Sequence, residues 1–246
     1  MPRPIDTKEN RVNLLTSATA TDEARRSARV AVLPVGSFEQ HGDHLPLVTD
    51  TVIAGLIAAR IAETYDLFLL PPIPLSCSHE HESFPGTVSI GAGTLITVID
   101  DIRASLARSG VFKLVLVNGH GGNYVLSNIT QQANVDGRYV TLFPGRDDWS
   151  AAREYAGAVT SSHDDMHGGE METSILLHAH PELVGDTYAD ADHEAGNRPH
   201  LLVSGMQAYT TSGIIGRPSA ATSAKGKAAL DSLVSSFADH LTVIDG

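Results

Sequence analysis

The sequence has one cysteine, few aromatic residues, no cluster of basic residues and no long apolar run, and each shortage excludes something. Cys77 alone cannot close an intramolecular disulfide, so nothing here asks for an oxidising compartment. No stretch approaches the roughly 18 consecutive apolar residues of a membrane-spanning helix. The opening residues, MPRPIDTKEN, lack the apolar core of a secretion signal. We therefore expect a cytoplasmic protein with no membrane partner. Aromatic residues make up 5%, too few to suggest a platform for stacking bases. Lys and Arg total 17 against 29 Asp and Glu, a formal net charge of −12, and that field repels nucleic acid.

What the chain does have is histidine, 12 residues of it, concentrated in EQHGDH, CSHEHES, NGHGGN and SSHDDMHGGEME. Histidines set among Asp, Glu and Gly read as ligands more readily than as scattered surface residues. The 246 residues, 42% of them hydrophobic, suffice for one α/β domain spanning 1–246. Residues 30–35, VAVLPV, read as a buried strand. A helix follows over about 51–65, a strand over 67–70 that ends at Pro71 and Pro72, and a polar loop to Thr87. Further helices are expected over about 94–109, from Asn123 to Asn134, over 170–180 and over 221–242. Further strands are expected over 113–119 and 138–143. Residues 1–28 read as a polar lead-in with a short helix near Asp22–Ser27, and 183–218 resist assignment. Strands alternating with helices imply a three-layer αβα fold with a mostly parallel central sheet.

In such folds ligands bind beyond the carboxyl ends of the strands. GSFEQHGDH follows the strand 30–35 and NGHGGN follows the strand near 113–117, so both reach one sheet edge. Glu39 and His41, two apart in extended backbone, share a face. Asp50 falls at a helix start, where the helix dipole favours a carboxylate whose two oxygens can serve two ions. His120 lies between glycines that leave its imidazole accessible. Mixed imidazole and carboxylate ligands suit Zn²⁺, Mn²⁺ or Fe²⁺ better than Ca²⁺ or Mg²⁺. Cys77 beside His79 makes no credible thiol dyad, because nothing near it has a nucleophile-elbow pattern.

These segments also carry a family resemblance. LPVGSFEQHGDHLPLVTDT resembles the first signature of the creatininase family and NGHGGN the second; FPGTVS at 84–89 and HGGEMETS at 167–174 resemble two more of its blocks. The resemblance spans about residues 30–180. It implies a metal-dependent amidohydrolase with two divalent ions, Zn²⁺ or Mn²⁺, with Fe²⁺ as a further option. Glu39 and His120 would hold one ion, His41 the other, and Asp50 would bridge them. It implies a small-molecule amide substrate, with His167 delivering a proton to the leaving nitrogen or orienting the substrate. Contacts to substrate would fall at His81, Gly121, His163 and Asp164. A homo-oligomer, commonly a hexameric ring, is implied as well.

Two departures stand out. Creatininase carries a second-metal glutamate two residues after the NGH histidine, where this chain has Gly122. Glu172 is the preferred replacement and a second catalytic candidate, with Glu170 as the alternative; Glu172 could instead cap its helix or orient His120. Four residues before His167, the substrate-packing tryptophan of creatininase is replaced by His163. The pocket is therefore not expected to suit creatinine. Family members open a cyclic amide, deformylate a formamidopyrimidine nucleotide or cut the mycofactocin precursor. A non-peptide or cyclic amide is the first expectation, because the peptidases often carry Arg at the position of Glu170. A scaffold that binds metal without turnover is the alternative of another class.

Overall fold

The computed structural model describes residues 16–246; most of the expected polar lead-in, up to residue 15, lies outside them. The first helix, α1 (Ala20–Arg26), starts at a capping box in which Thr19 and Asp22 bond reciprocally. The strands β1 (Val30–Val35), β2 (Phe68–Leu69), β3 (Lys113–Asn118) and β4 (Val140–Phe143) form one parallel sheet in the order β2-β1-β3-β4. The helices between them are α2 (Thr49–Tyr65), α3 (Ala92–Arg108) and α4 (Val125–Ala133), followed by α5 (Arg146–Ala156), α6 (Glu170–Ala179), α7 (Leu201–Ser204) and α8 (Ser223–Asp245).

The layers follow from the period-2 alternation of the two central strands. Val30, Val32, Val115 and Val117 face one side, where they meet α2, α6 and α8 through residues such as Ile53, Ile57, Ile175, Leu230 and Phe237. Ala31, Leu33, Val35, Leu114 and Leu116 face the other, against Leu95 and Ile99 of α3 and Leu126 of α4. Because both faces are covered, β1 is buried at every position.

Boundaries agree with the sequence reading to within a few residues. The exception is α5, which that reading left unassigned. Its sequence, RDDWSAAREYA, has a narrow apolar stripe of Trp149, Ala152 and Ala156, of which only Ala152 is fully buried, set among charged residues. The unassigned stretch 183–218 consists of short turns and α7, and it folds back on its own chain. Ile215 bridges His167, Gly216 bridges His193, and Ile214 and Ile215 are buried. No helix among the described residues is long and apolar enough to cross a membrane.

Candidate metal centre

The strand order reverses between β1 and β3, which opens a crevice beyond their carboxyl ends. The two strands finish level, Val35 opposite Asn118, and each is followed by a glycine. A Cβ on Gly36 would collide with the backbone of Thr51, and one on Gly119 with the carbonyl of Asp50. These glycines let the first turn of α2 sit against both strand ends, and Asp50 thereby lies between the loops that carry His41 and His120.

The Asp50 carboxylate faces two ways. Its Oδ1 is 3.1 Å from His41 Nε2, and its Oδ2 is 3.1 Å from His120 Nδ1. Ser37 Oγ donates to Oδ2 at 2.7 Å. On one side stands Glu39, whose Oε1 is 3.1 Å from His120 Nδ1. On the other stands Glu172, whose Oε2 is 3.9 Å from His41 Nε2 and accepts from the Gly168 N–H at 2.6 Å. Among the described residues three donor sets are compact enough to hold an ion: Glu39–Asp50–His120, His41–Asp50–Glu172 and Glu39–His41–His167.

Backbone carbonyls set the tautomers. A carbonyl only accepts, so the nitrogen facing it carries the proton. His120 Nε2–H donates to Cys77 O at 2.9 Å, His41 Nδ1–H to Glu39 O at 3.0 Å, and His167 Nε2–H to Gln40 O at 2.6 Å. In the neutral ring the opposite nitrogen is then a bare lone pair, and each such nitrogen faces the carboxylates. Lone pairs and carboxylates repel unless a proton or a cation lies between them. Glu39 makes the same point: it is fully buried, and neither of its oxygens has a hydrogen-bond partner. The donor set fits divalent metal ions of the Zn²⁺ or Mn²⁺ type.

The electrostatics agree. Burial opposes charge on His41, but Asp50, Glu172 and Glu39 outweigh it and raise the ring to about 9. Burial likewise opposes charge on His120, and Glu39 and Asp50 raise it well above its ordinary value. Despite burial, His41 and His120 hold Asp50 well below the usual carboxylate range. Burial pushes Glu39 upward and Glu172 to about 7. His81 falls to about 3 and His167 well below its ordinary value, through burial and the positive charge of neighbouring imidazoles.

Glu170 points elsewhere. Its carboxylate pairs with Lys225 and accepts from the N–H groups of Val159 and Thr160, so the alternative that put it at the metals does not hold. Two residues along a helix turn a side chain to a different face. At Gly122 the space is used by Glu80, whose Oε1 is 3.7 Å from His120 Nε2; a Cβ at 122 would collide with both groups. His81 joins the cluster, with Nε2 3.4 Å from Glu39 Oε1 and its ring 4.3 Å from that of His167. Gly121 is exposed beside His120. His163 and Asp164 lie on an exposed turn outside the buried cluster; Arg198 donates to the His163 carbonyl, and Asp164 bonds Ser161. Burial pushes the Cys77 thiol up, away from nucleophilic character.

Sequence reasoning missed three participants. Ser37 bonds Asp50, Gln40 donates to His81 Nδ1 at 2.9 Å, and His44 donates to the Gly168 carbonyl at 3.0 Å. The last two lie inside EQHGDH, so their proximity to the ligands was available as a signal.

A family model described as "Creatininase: Creatinine amidohydrolase" matches residues 14–241. The chain belongs to the creatininase family. It is 37% identical to the mycofactocin precursor peptide peptidase of Mycolicibacterium smegmatis, across 86% of this chain and 84% of the relative. It is 30% identical to the creatinine amidohydrolase of Pseudomonas putida, across 89% and 92%. A manganese form of creatininase covers 92% of this chain and 95% of its own at a TM-score of 0.77 and 27% identity. A Zn–Zn form of a creatininase mutant gives the same coverage and TM-score at 26% identity. The parallel sheet flanked by helices is thus the creatininase fold, and the protein is a creatininase-family hydrolase, an amidohydrolase.

Proposed function

We propose that two divalent metal ions, zinc or manganese, sit in this centre and that the protein uses them to hydrolyse an amide C–N bond. Asp50 would be shared between the two, Glu39 and His120 would help hold one ion, and His41 and Glu172 the other. The observation that carries this reading is the Asp50 carboxylate, which turns one oxygen to His41 and the other to His120, 3.1 Å in each case. When bound, such a pair of ions supplies an acidified water and stabilises a developing oxyanion. His167, tied to Gln40 O through Nε2–H, keeps Nδ1 free to take a proton and pass it to the leaving nitrogen. His81, Gly121, His163 and Asp164 line the approach and contact substrate.

Among amides we rank a short peptide first, because the relative at 37% identity is a precursor-peptide peptidase while the creatinine amidohydrolase stands at 30%. A cyclic or other non-peptide amide is the second reading, favoured by the retained donor set. A phosphorylated nucleotide is disfavoured. Arg198 is spent on the carbonyls of His163 and Gly196, and Arg217 stands 3.8 Å from Asp192. We further propose a cytoplasmic homo-oligomer, a hexamer by family likeness. Light scattering that finds a monomer at micromolar concentration refutes that part.

The test of function is a panel of short peptides, lactams and formamides, assayed with chelated protein and after return of Zn²⁺ or Mn²⁺. Peptide turnover that vanishes with chelator and returns with metal is the expected result. Two bound metals with no turnover on any amide point instead to a non-catalytic metal-binding protein.

A further inference from the structure

His44 is the last histidine of EQHGDH and has no place in the donor sets above. It is buried at 2% exposure. Its Nε2 lies 3.0 Å from Gly168 O and 3.3 Å from Thr173 Oγ1. The carbonyl can only accept, so Nε2 carries the proton and donates. Nδ1 is buried without any partner, as suits a neutral ring used only for its one N–H. Burial lowers the ring's tendency to charge, which agrees with that geometry.

What His44 grips is the turn into α6. Gly168 adopts φ +64°, and a Cβ there would strike Ile214, so the turn is built for glycine. Such a turn is not held by its own side chain and needs outside contacts. The carbonyl of Gly168 takes them from His44 and, more weakly, from Thr173 Oγ1 at 3.4 Å. The N–H of the same residue is the donor to Glu172 Oε2 at 2.6 Å. One glycine therefore links His44 to the carboxylate that stands 3.9 Å from His41 Nε2.

We propose that His44 is the positioning residue for Glu172: by holding the Gly168 carbonyl it aims the Gly168 N–H, and so fixes the Glu172 carboxylate beside His41. This rests on the dinuclear reading above. It assigns His44 to one metal position only, because the hydrogen bonds that Gly168 makes with side chains run to His44, Thr173 and Glu172, and none to Glu39, Asp50 or His120. Outer contacts that orient ligands typically alter metal affinity 10- to 100-fold.

Zinc titration of metal-free protein by calorimetry, with elemental analysis after dialysis, tests the assignment. Wild type is expected to take two Zn²⁺. His44→Leu, similar in bulk but without the donor, is expected to keep the first and weaken the second by roughly 10- to 100-fold. His44→Gln, whose amide N–H can reach the carbonyl, is expected to restore much of that loss. Two wild-type affinities in His44→Leu overturn the proposal, as does equal weakening of both sites. Should His44→Leu fail to fold, Thr173→Val removes the weaker contact; a smaller loss confined to the second site is expected. No loss there, or equal loss at both, overturns the proposal in the same way. A wild type that takes up no zinc defeats the dinuclear reading itself, a distinct result from a wild type with two sites and an unaffected variant.

Discussion

Two regions supply the centre, and they hold their residues by different means. The loops after β1 and β3 hang from adjacent parallel strands whose register and burial are set by apolar alternation. The entry to α6 hangs from a polar network. Asp165 accepts from the N–H groups of Glu170 and Met171 and from Arg153, while Glu170 pairs with Lys225 and bonds the 159–160 backbone. The first region follows from an apolar strand pairing, Val30 with Lys113 through Val35 with Asn118. The second depends on residues such as Lys225, 55 positions from Glu170. The lesson is that one active centre can combine a hydrophobically placed half with an electrostatically placed half, and the two should fail differently.

The strongest break is expected in the first half. Asp50→Asn weakens the charge at both metal positions, and we expect activity to fall on the order of 10³-fold with loss of both ions, beyond the effect of His41→Gln. Metal analysis of the two variants side by side checks this; equal metal content with full activity in both would remove Asp50 from the bridge.

Lys225→Met attacks the second half. Glu170 is fully buried and Lys225 is 18% exposed, so an unpaired carboxylate is left inside the protein. We expect a stability loss of about 3 kcal/mol, near the lower end for such pairs because backbone N–H groups still bind Glu170. Denaturant unfolding measures it. The comparison sharpens if zinc bound through Glu39, Asp50 and His120 survives while the ion at Glu172 is lost.

The pH dependence follows from His41 and Glu172, which hold protons up to about 9 and about 7. Both values are raised, so without metal these groups stabilise the fold at low pH. That contribution wanes as pH rises through 7 for Glu172 and 9 for His41. Metal must displace those protons and the one on His120, so zinc affinity should climb as pH rises through about 7 and about 9. Calorimetry in buffers of different ionisation enthalpy should record proton release at pH 7; binding with no release would contradict the raised values.

The smallest effect belongs to His163→Ala. Its ring is exposed, and Arg198 holds mainly its carbonyl. Stability should change by less than about 0.5 kcal/mol and zinc uptake not at all, so that any change in activity is read in KM. Loss of metal from this variant would extend the centre to the 161–164 turn.

Much of this organisation could be read from residues alone. The apolar runs 30–35 and 113–117 specified the two central strands, because covered parallel strands must be apolar on both faces. The dense EQHGDH and NGHGG segments right after them marked the sheet edge. The α5 helix escaped notice because its apolar stripe, Trp149, Ala152 and Ala156, is narrow and set among charges, and 183–218 because its turns are held by distant bridges.

The sequence by itself determined the layers, the edge and the candidate residues Glu39, His41, Asp50 and His120, since these depend on local periodicity and on motifs a few residues long. Only the tertiary structure put Glu172 beside His41 and turned Glu170 to Lys225. Both are acidic, both stand in the first turn of α6, and their spacing says only that they diverge. The choice came from Lys225 and the 159–160 backbone on one side and from the Gly168 N–H on the other, contacts set by three-dimensional packing that no local pattern encodes.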